Sequence, residues 1–249
     1  MRRGDEHRGE PDPEPRSAAD AIAACMSGAG PGEVPERLCR VAVDLLPVIG
    51  ASVSLHCDGM PVQLGASGPR AAYVTEIQAT LGDGPCQWAA RSRSPVLAGD
   101  LTTGGDVARW PVFAQQATAA GVSAVYSLPL GDARVCVGTL DLYGDTPGTL
   151  TQGELRTARL VAGMMTIALM ALPHEEATGE QDEDVWLGGL AADHDPLYQA
   201  AGMIMAQLAV GTDEALARLR AHAFAQGRTA LDVSHDVVAH RLRFDDDDE

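Results

Sequence analysis

The chain has 249 residues, of which 45% are hydrophobic, and its formal net charge is −17 at pH 7. This length allows one large domain or two small ones, and the hydrophobic content is typical of a globular protein. The five cysteines include no Cys-x-x-Cys pair, which argues against a disulfide framework and a structural zinc site and favours a cytoplasmic compartment. The longest apolar run, residues 160–172, is too short to cross a bilayer, and we see no signal peptide.

Residues 1–16 are polar and rich in proline, which predicts a disordered segment. Hydrophobic periodicity then predicts a first group of elements. These are helices over 17–27, 34–48, 69–82, 109–121 and 151–172, and strands over 50–57, 60–67, 95–101, 123–130 and 134–144. Asp58-Gly59 between the first two strands is a hairpin signal. The order indicates an α+β fold, an antiparallel sheet flanked by helices that lie on one side.

The segment GDGPCQWA, residues 82–89, joins two predicted helices. Gly82 ends the first, and Gly84-Pro85 starts the second, because proline at the first helical position loses no hydrogen bond. Cys86 therefore lies in a first turn, where the helix dipole lowers the pKa of a thiol, although Asp83 opposes that shift. We favour a turn beside a ligand pocket, with a redox-sensing Cys86 as the alternative.

The predicted helix over 151–172 begins with Thr151 as its N-cap and Glu154 at the capping-box position. After Leu160 this helix is apolar nearly all round. A helix without a polar face needs apolar cover on both sides, and its own domain can cover one of them. We therefore predict a homodimer in which the same helix of a second copy provides the other cover.

The composition of the chain changes after Pro173. Residues 174–194 contain seven acidic side chains and no arginine, which predicts an acidic linker. Three amphipathic helical segments follow in residues 195–243 and predict a small helical bundle. Residues 244–249 are predicted to be an acidic tail. The two predicted domains are therefore 17–173 and 195–243.

Several stretches of the first predicted domain carry a family resemblance. They are LGDGPC (81–86), RWPVFAQQATAAGVSAVYSLPL (109–130) and GTLDLYGDTPGTLT (138–151). Through them, residues 17–173 resemble a GAF domain. The resemblance implies a small molecule held between the sheet and a lid of helices and loops. We assign Cys86, Trp88 and Tyr126 to the lining of this pocket, whose ligand is unknown.

The GAF resemblance raises two further possibilities for the pocket, a bound cofactor and a catalytic thiol. Haem commonly needs an axial histidine, and His56 alone lies in the predicted sheet region, so we predict neither haem nor a metal. Some GAF proteins reduce free methionine sulfoxide with paired cysteines, and Cys86 is the only plausible nucleophile of that kind here. Cys136 lies on a predicted strand, where we expect it to be buried. We therefore predict that the protein is not an enzyme.

Residues 195–243 resemble an ANTAR domain, an RNA-binding module of transcription antitermination, through QAAGMIMAQLAVGTDEALARLRAHAFAQGRTALDVSHDVV (199–238). A GAF domain followed by ANTAR is a known architecture and implies a sensor that gates an antiterminator. ANTAR dimers bind paired stem-loops in nascent RNA and let the polymerase read on. Arginines suit such loops because they contact phosphates and stack on splayed bases. The candidate RNA-binding residues are Arg218, Arg220, Arg228 and Arg241.

Three positions depart from the usual ANTAR pattern. Ala201 replaces a basic residue, Gly227 replaces the asparagine of an Asn-Arg pair, and Ser234 replaces an alanine. Loss of a cation weakens RNA binding, because counterion release scales with the number of phosphates neutralised. The alternative function is therefore a GAF sensor whose degenerate ANTAR unit dimerises or binds a protein partner. We further expect an upstream signalling protein, and no membrane, among the partners.

Overall fold

The computed structural model of the protein describes residues 15–57, 60–132, 135–170 and 196–244. The predicted linker over 174–194, the Asp58-Gly59 turn, nearly all of the predicted disordered segment and the tail beyond Phe244 lie outside these ranges. Within them, none of the helices combines the length and the hydropathy that crossing a bilayer requires.

The elements follow one another in nearly the predicted order. They are α1 (Pro15–Met26), a 3-10 turn (Pro31–Glu33), α2 (Val34–Leu45), β1 (Gly50–Cys57), β2 (Met60–Ala66), α3 (Pro69–Leu81), α4 (Pro85–Ser92), β3 (Val96–Ala98), α5 (Gly104–Arg109), α6 (Pro111–Ala119), β4 (Ala124–Gly131), β5 (Cys136–Gly144), α7 (Gln152–Met170), α8 (Pro196–Leu208), α9 (Thr212–Ala225) and α10 (Ala230–Val238). The short helix α5 was not predicted. β3 ends earlier than predicted because the Asp100 carboxylate accepts the N–H groups of Thr102 and Thr103, which turns the chain.

The strands form one sheet in the order β2-β1-β5-β4-β3, and every neighbouring pair is antiparallel. The last strand, β5, lies at the centre, where Leu140 is opposite Val53 of β1 and Leu128 of β4. The predicted antiparallel sheet of an α+β fold is therefore confirmed.

Helices cover both faces of this sheet, which corrects the prediction that they lie on one side. α2 and α7 pack on one face around an apolar core that includes Val53, Leu140 and Met165. α3 and α4 pack on the opposite face. The reason is visible along β1, where the consecutive residues Ser52, Val53 and Ser54 are all fully buried. Since successive side chains of a strand point to opposite faces, each face needs its own cover.

The three C-terminal helices pack around a core of their own. Its members include Ala200, Ile204, Leu219, Val233 and Val237. A capping box starts α10, in which the Thr229 hydroxyl accepts the N–H of Asp232 at 3.1 Å and the Asp232 carboxylate accepts the N–H of Thr229 at 3.3 Å. α9 and α10 also contact α3, so the C-terminal helices share an interface with a helix that covers the sheet.

Candidate ligand-binding site

The face of the sheet beneath α3 and α4 carries a layer of polar residues that are fully buried. Ser52 on β1, Asp141 on β5 and Ser127 on β4 lie opposite one another in register, and each is 0% exposed. Ser54 and Thr139 form the next row and are equally buried. These five residues are called the polar layer below. It lies between the sheet and a helical cover, where a GAF-type pocket was expected.

One edge of the polar layer is closed by a complete hydrogen-bond network. The Thr75 hydroxyl of α3 donates to Ser52 Oγ at 2.7 Å, and Ser52 Oγ lies 2.7 Å from Tyr143 Oη. Tyr143 Oη is also 3.1 Å from Thr75 Oγ1. Each of these three hydroxyls therefore has a hydrogen-bond partner. The network links α3 to β1 and β5 at this edge of the polar layer.

The middle of the polar layer is different, because several buried polar atoms have no hydrogen-bond partner among the described residues. They are Ser54 Oγ, Asp141 Oδ1 and, from α3, Gln78 Nε2. The Ser127 hydroxyl lies beside the Asp141 carboxylate without forming a well-directed hydrogen bond. A buried polar group left unpaired costs about 1–3 kcal/mol, so such a group in a native protein calls for a partner. These atoms therefore mark a candidate site for a polar ligand.

Asp141 is the main ionisable group of the site. Burial raises the pKa of its carboxyl to about 7, against the smaller opposing effects of the Ser127 and Thr139 hydroxyls. The Thr139 hydroxyl donates to Asp141 Oδ2 at 3.2 Å, whereas Oδ1 has no well-directed hydrogen bond to any described residue. Near neutral pH this carboxyl therefore exists in both protonation states, and a bound donor or cation would favour the ionised one.

His56 lies further along β1 at the margin of the polar layer. Its Nε2 is 3.3 Å from Thr139 Oγ1, and burial together with the charge of Arg91 lowers the pKa of the imidazole to about 4. The ring is therefore neutral at pH 7. The site thus offers hydroxyls, an amide, a neutral imidazole and a carboxyl, a set that suits a neutral or cationic ligand with hydrogen-bond donors.

Cys86 borders the polar layer, and its burial opposes the lowering of the thiol pKa that its position in α4 predicts. Its side chain is 0% exposed, and its N–H donates to Gln78 Oε1 at 2.9 Å. Burial, helped by the charge of Asp141, raises the pKa of the thiol well above its usual value. Burial therefore outweighs the helix dipole, which corrects the expected lowering of this pKa.

The other two predicted pocket residues lie away from the polar layer. Trp88 is 39% exposed, and its Nε1–H donates to Asp83 at 3.1 Å while the Arg109 guanidinium lies 4.0 Å from its ring centroid. Tyr126 belongs to the core on the α2 and α7 face, where its hydroxyl donates to Gly148 O at 2.9 Å. The structure therefore does not bring Cys86, Trp88 and Tyr126 together.

The residues of the polar layer are not among the site residues that the sequence predicts. In the sequence they are visible only as polar residues that alternate with apolar ones along a strand, as Ser52 and Ser54 do on β1 and Thr139 and Asp141 on β5. The same alternation is typical of a sheet with one face in water. In this protein α3 and α4 cover that face, so its polar residues are buried instead of exposed to water.

The candidate RNA-binding arginines are spread over the C-terminal helices. Arg218 pairs with Glu214 at 3.0 Å, whereas Arg228 and Arg241 both pair with Asp236, at 2.7 and 2.6 Å. Arg220 is half-buried and points toward the first domain. The structure therefore brings Arg228 and Arg241 together around one carboxylate and separates Arg220 from them.

The fold and the covered polar layer define an α+β domain with a candidate small-molecule site between its sheet and helices. The sequence model of the GAF domain family matches residues 29–170. The chain therefore belongs to the GAF domain family and contains a GAF sensor domain.

Several solved structures are similar to this chain. The GAF domain of an Acinetobacter phosphoenolpyruvate-protein phosphotransferase is 12% identical with a TM-score of 0.50, and the match covers 66% of this chain and 95% of that one. The corresponding domain from Coxiella burnetii is 12% identical with a TM-score of 0.48, covering 61% and 90%. Type II free methionine-R-sulfoxide reductase from Thermoplasma acidophilum is 14% identical with a TM-score of 0.45, covering 57% and 93%. No curated protein matches the chain.

Proposed function

We propose that this protein is a ligand-gated regulator whose GAF domain senses a small molecule and whose C-terminal helices form an ANTAR module that binds nascent RNA and promotes antitermination. The observation that carries the proposal is the stretch 199–238, which resembles ANTAR and folds as three helices around a common core. A separate helical unit attached to a sensor domain is the arrangement expected of an output module.

The departures from the ANTAR pattern are compatible with a folded module. Gly227 has a φ of +63°, a left-handed conformation that asparagine and glycine both adopt readily, and the N–H of Arg228 then donates to Ala223 O at 2.9 Å. The buried Ser234 hydroxyl is satisfied by Ala230 O at 2.7 Å. Ala201 is 2% exposed and faces the core of the three helices.

Three of the candidate arginines can exchange their present partners for RNA. Arg218 and Arg241 are exposed, and the side chain of Arg228 is 36% exposed. Ion pairs at such sites contribute little stability, since water already screens them. Replacing a carboxylate partner by a phosphate therefore costs little, which supports a role for these residues in RNA contact.

The polar layer supports a reversible sensor of a neutral or cationic ligand. Asp141 Oδ1, Ser54 Oγ and Gln78 Nε2 together offer one carboxyl, one hydroxyl and one amide to such a molecule. The raised pKa of the buried Cys86 thiol supports a role without a covalent thiol step, so we infer that the protein acts as a regulator rather than as an enzyme.

We also propose that α7 mediates a homodimer. An apolar stripe on its outer side consists of Leu160, Gly163, Met164, Ile167 and Met170, and Ile167 is 59% and Met170 42% exposed. Its members recur at helical spacing, so they present one face, and the stripe is free of charged residues. A second copy presents the same stripe, and Gly163 allows two helices to approach closely.

The test is a gel-shift titration of the full-length protein with an RNA that carries two stem-loops. The control RNA keeps both stems and replaces the loop bases. We expect preferential binding of the first RNA, with an affinity that falls steeply as salt rises. Arg218→Ala and Arg241→Ala should each weaken binding and flatten the salt dependence. Arg40→Ala on α2, an exposed arginine that pairs with Glu36 as Arg218 pairs with Glu214, should change neither.

Failure to bind either RNA at low salt would reject the RNA-binding function. Equal affinity for both RNAs would reject loop recognition. In both cases the C-terminal helices would be left as a dimerisation or protein-binding unit, and the sensor assignment of the GAF domain would be unaffected.

A further inference from the structure

The C-terminal helices are hydrogen-bonded to the GAF domain at one buried point. The N–H of Ala230, the first residue of α10, donates to Thr80 Oγ1 of α3 at 2.8 Å. Ala230 is 0% and Thr80 7% exposed. The first N–H groups of a helix have no partner within it, so α3 supplies to α10 an acceptor that the helix itself lacks.

A second contact lies two residues beyond Thr80, at the glycine that ends α3. Gly82 adopts a φ of +63°, and its backbone lies so close to Arg220 of α9 that a Cβ at position 82 would overlap with Arg220 Nη1. Glycine suits this position for two reasons, the left-handed helix end and the close approach of the guanidinium, which a Cβ would displace.

The Gly82 contact covers part of the Arg220 side chain. That side chain is half-buried, and its Nε–H donates to Leu216 O at 3.2 Å. Burial lowers the pKa of its guanidinium, the charge of Asp213 opposes this shift, and the charge of Arg91 adds to it. Arg218, two residues away on the same helix, is exposed. The GAF domain thus covers one candidate RNA-binding arginine and leaves its neighbour accessible.

The end of α3 touches the polar layer and the C-terminal helices at once. Gln78 faces the layer, where its Oε1 accepts the N–H of Cys86 and its Nε2 has no hydrogen-bond partner within the described part of the chain. Thr80 and Gly82, within the next turn, contact Ala230 and Arg220. Gln78, which borders the candidate ligand site, is therefore two residues from Thr80 and four residues from Gly82, the two residues of α3 that contact the C-terminal helices.

The interface is interrupted by a cleft that is partly open to solvent. The cleft has a volume of about 370 Å³, lies between α3, α6 and the last two helices, and is lined by residues that include Tyr73, Ile77, Gln116 and Phe224. Tyr73 and Phe224 remain 49% and 53% exposed, so the two surfaces close only partly against each other. Interfaces between units of one chain permit relative motion unless they are large and hydrophobic.

From these contacts we propose that the GAF domain holds the C-terminal helices in a sequestered state, in which Gly82 and Thr80 of α3 cover Arg220 and the start of α10 and keep them from RNA. The proposal rests on the proposed RNA-binding function for its consequence, but the sequestration of Arg220 is measurable without RNA. It places the control of RNA binding at the last turn of α3.

The test variant is Gly82→Asn in the full-length protein. Asparagine tolerates the left-handed backbone but carries a Cβ that displaces Arg220. Gly28→Asn is the matched control, because Gly28 also has a positive φ, +72°, and no atom lies within 4 Å of a Cβ built there. Thr80→Val, which removes the acceptor for the Ala230 N–H, is a second variant that leaves the glycine in place.

Two measurements report sequestration without RNA. One is the rate at which a dicarbonyl reagent modifies Arg220 relative to Arg218, followed by peptide mass spectrometry. The other is hydrogen exchange of the segment that contains the Ala230 amide. We expect Arg220 to react more slowly than Arg218 in the wild type and faster in Gly82→Asn. Exchange at Ala230 should rise in Gly82→Asn and Thr80→Val and stay unchanged in Gly28→Asn.

The third measurement is affinity for the two-stem-loop RNA. If about one molecule in ten is open in the wild type, Gly82→Asn should bind about tenfold more tightly. Equal reactivity of Arg220 and Arg218 in the wild type would overturn the proposal, as would equal RNA affinity of wild type and variant despite a freed Arg220. A freed Arg220 without RNA binding by any form would uphold sequestration and reject the proposed RNA-binding function instead.

Discussion

Ser52 and Asp141 lie opposite each other on β1 and β5, and both are fully buried, but only one of them is fully paired. The Ser52 hydroxyl contacts both Thr75 and Tyr143 at 2.7 Å, whereas Asp141 Oδ1 has no partner among the described residues. The polar layer is therefore half structural network and half candidate binding site, and the two halves respond differently to substitution.

The two buried serines of β1 provide a matched pair. We expect Ser52→Ala to lower the free energy of unfolding by about 1–2 kcal/mol, because it removes two hydrogen bonds. Ser54→Ala should be neutral or stabilising, since no described residue is hydrogen-bonded to Ser54 Oγ. Urea denaturation of both variants measures the difference. Equal losses would show that Ser54 is hydrogen-bonded in solution.

The free energy of unfolding should depend on pH through the protonation of Asp141. Its pKa is about 7 in the folded protein and about 3.9 in an unfolded chain. Between these values the folded protein holds a proton that the unfolded chain has released. Raising the pH through this window therefore lowers the free energy of unfolding, by about 1.4 kcal/mol per pH unit at most.

Asp141→Asn should remove this loss, so that its stability relative to the wild type is greater at pH 8 than at pH 5. The His56 contribution has the opposite sign and cancels when wild type and variant are compared at the same pH. Asp44→Asn, on the exposed side of α2, should keep the wild-type dependence. Parallel wild-type and Asp141→Asn profiles would mean that the carboxyl is solvated.

Cys86 should resist modification in the folded protein. Because it is fully buried and its thiol pKa is raised, iodoacetamide at pH 8 should leave it unmodified while the half-buried Cys25 reacts. Both should react after unfolding in urea, and peptide mass spectrometry distinguishes them. Modification of Cys86 as fast as Cys25 would restore the redox-sensing alternative.

The dimer proposal predicts a specific effect at α7. Ile167→Glu places a charge in the centre of the apolar stripe, and burying an unpaired charge in an interface is costly. Analytical ultracentrifugation should show a dimer for the wild type and a monomer for this variant. Gln115→Glu on the exposed side of α6 is the control and should remain dimeric. A monomeric wild type would reject the proposal.

Local sequence signals predicted several of the element boundaries. Gly82 ends α3 with a left-handed φ of +63°, and Gly84-Pro85 starts α4, as the GDGPC segment predicts. The Thr151 and Glu154 capping box forms as expected, with Thr151 N–H to Glu154 at 2.6 Å and Glu154 N–H to Thr151 at 3.2 Å. These features need only neighbouring residues, so a single sequence contains the information for them.

The sequence by itself determined the antiparallel α+β domain, the three C-terminal helices and the turn that contains Cys86. Only the tertiary structure decided that α3 and α4 bury Ser54 and Asp141, and that Arg220 lies under Gly82. The physical reason is the distance along the chain over which each property is determined. Capping and periodicity depend on residues within one or two turns, whereas burial, and with it the pKa of Asp141 and Cys86, depends on which distant segment covers a side chain.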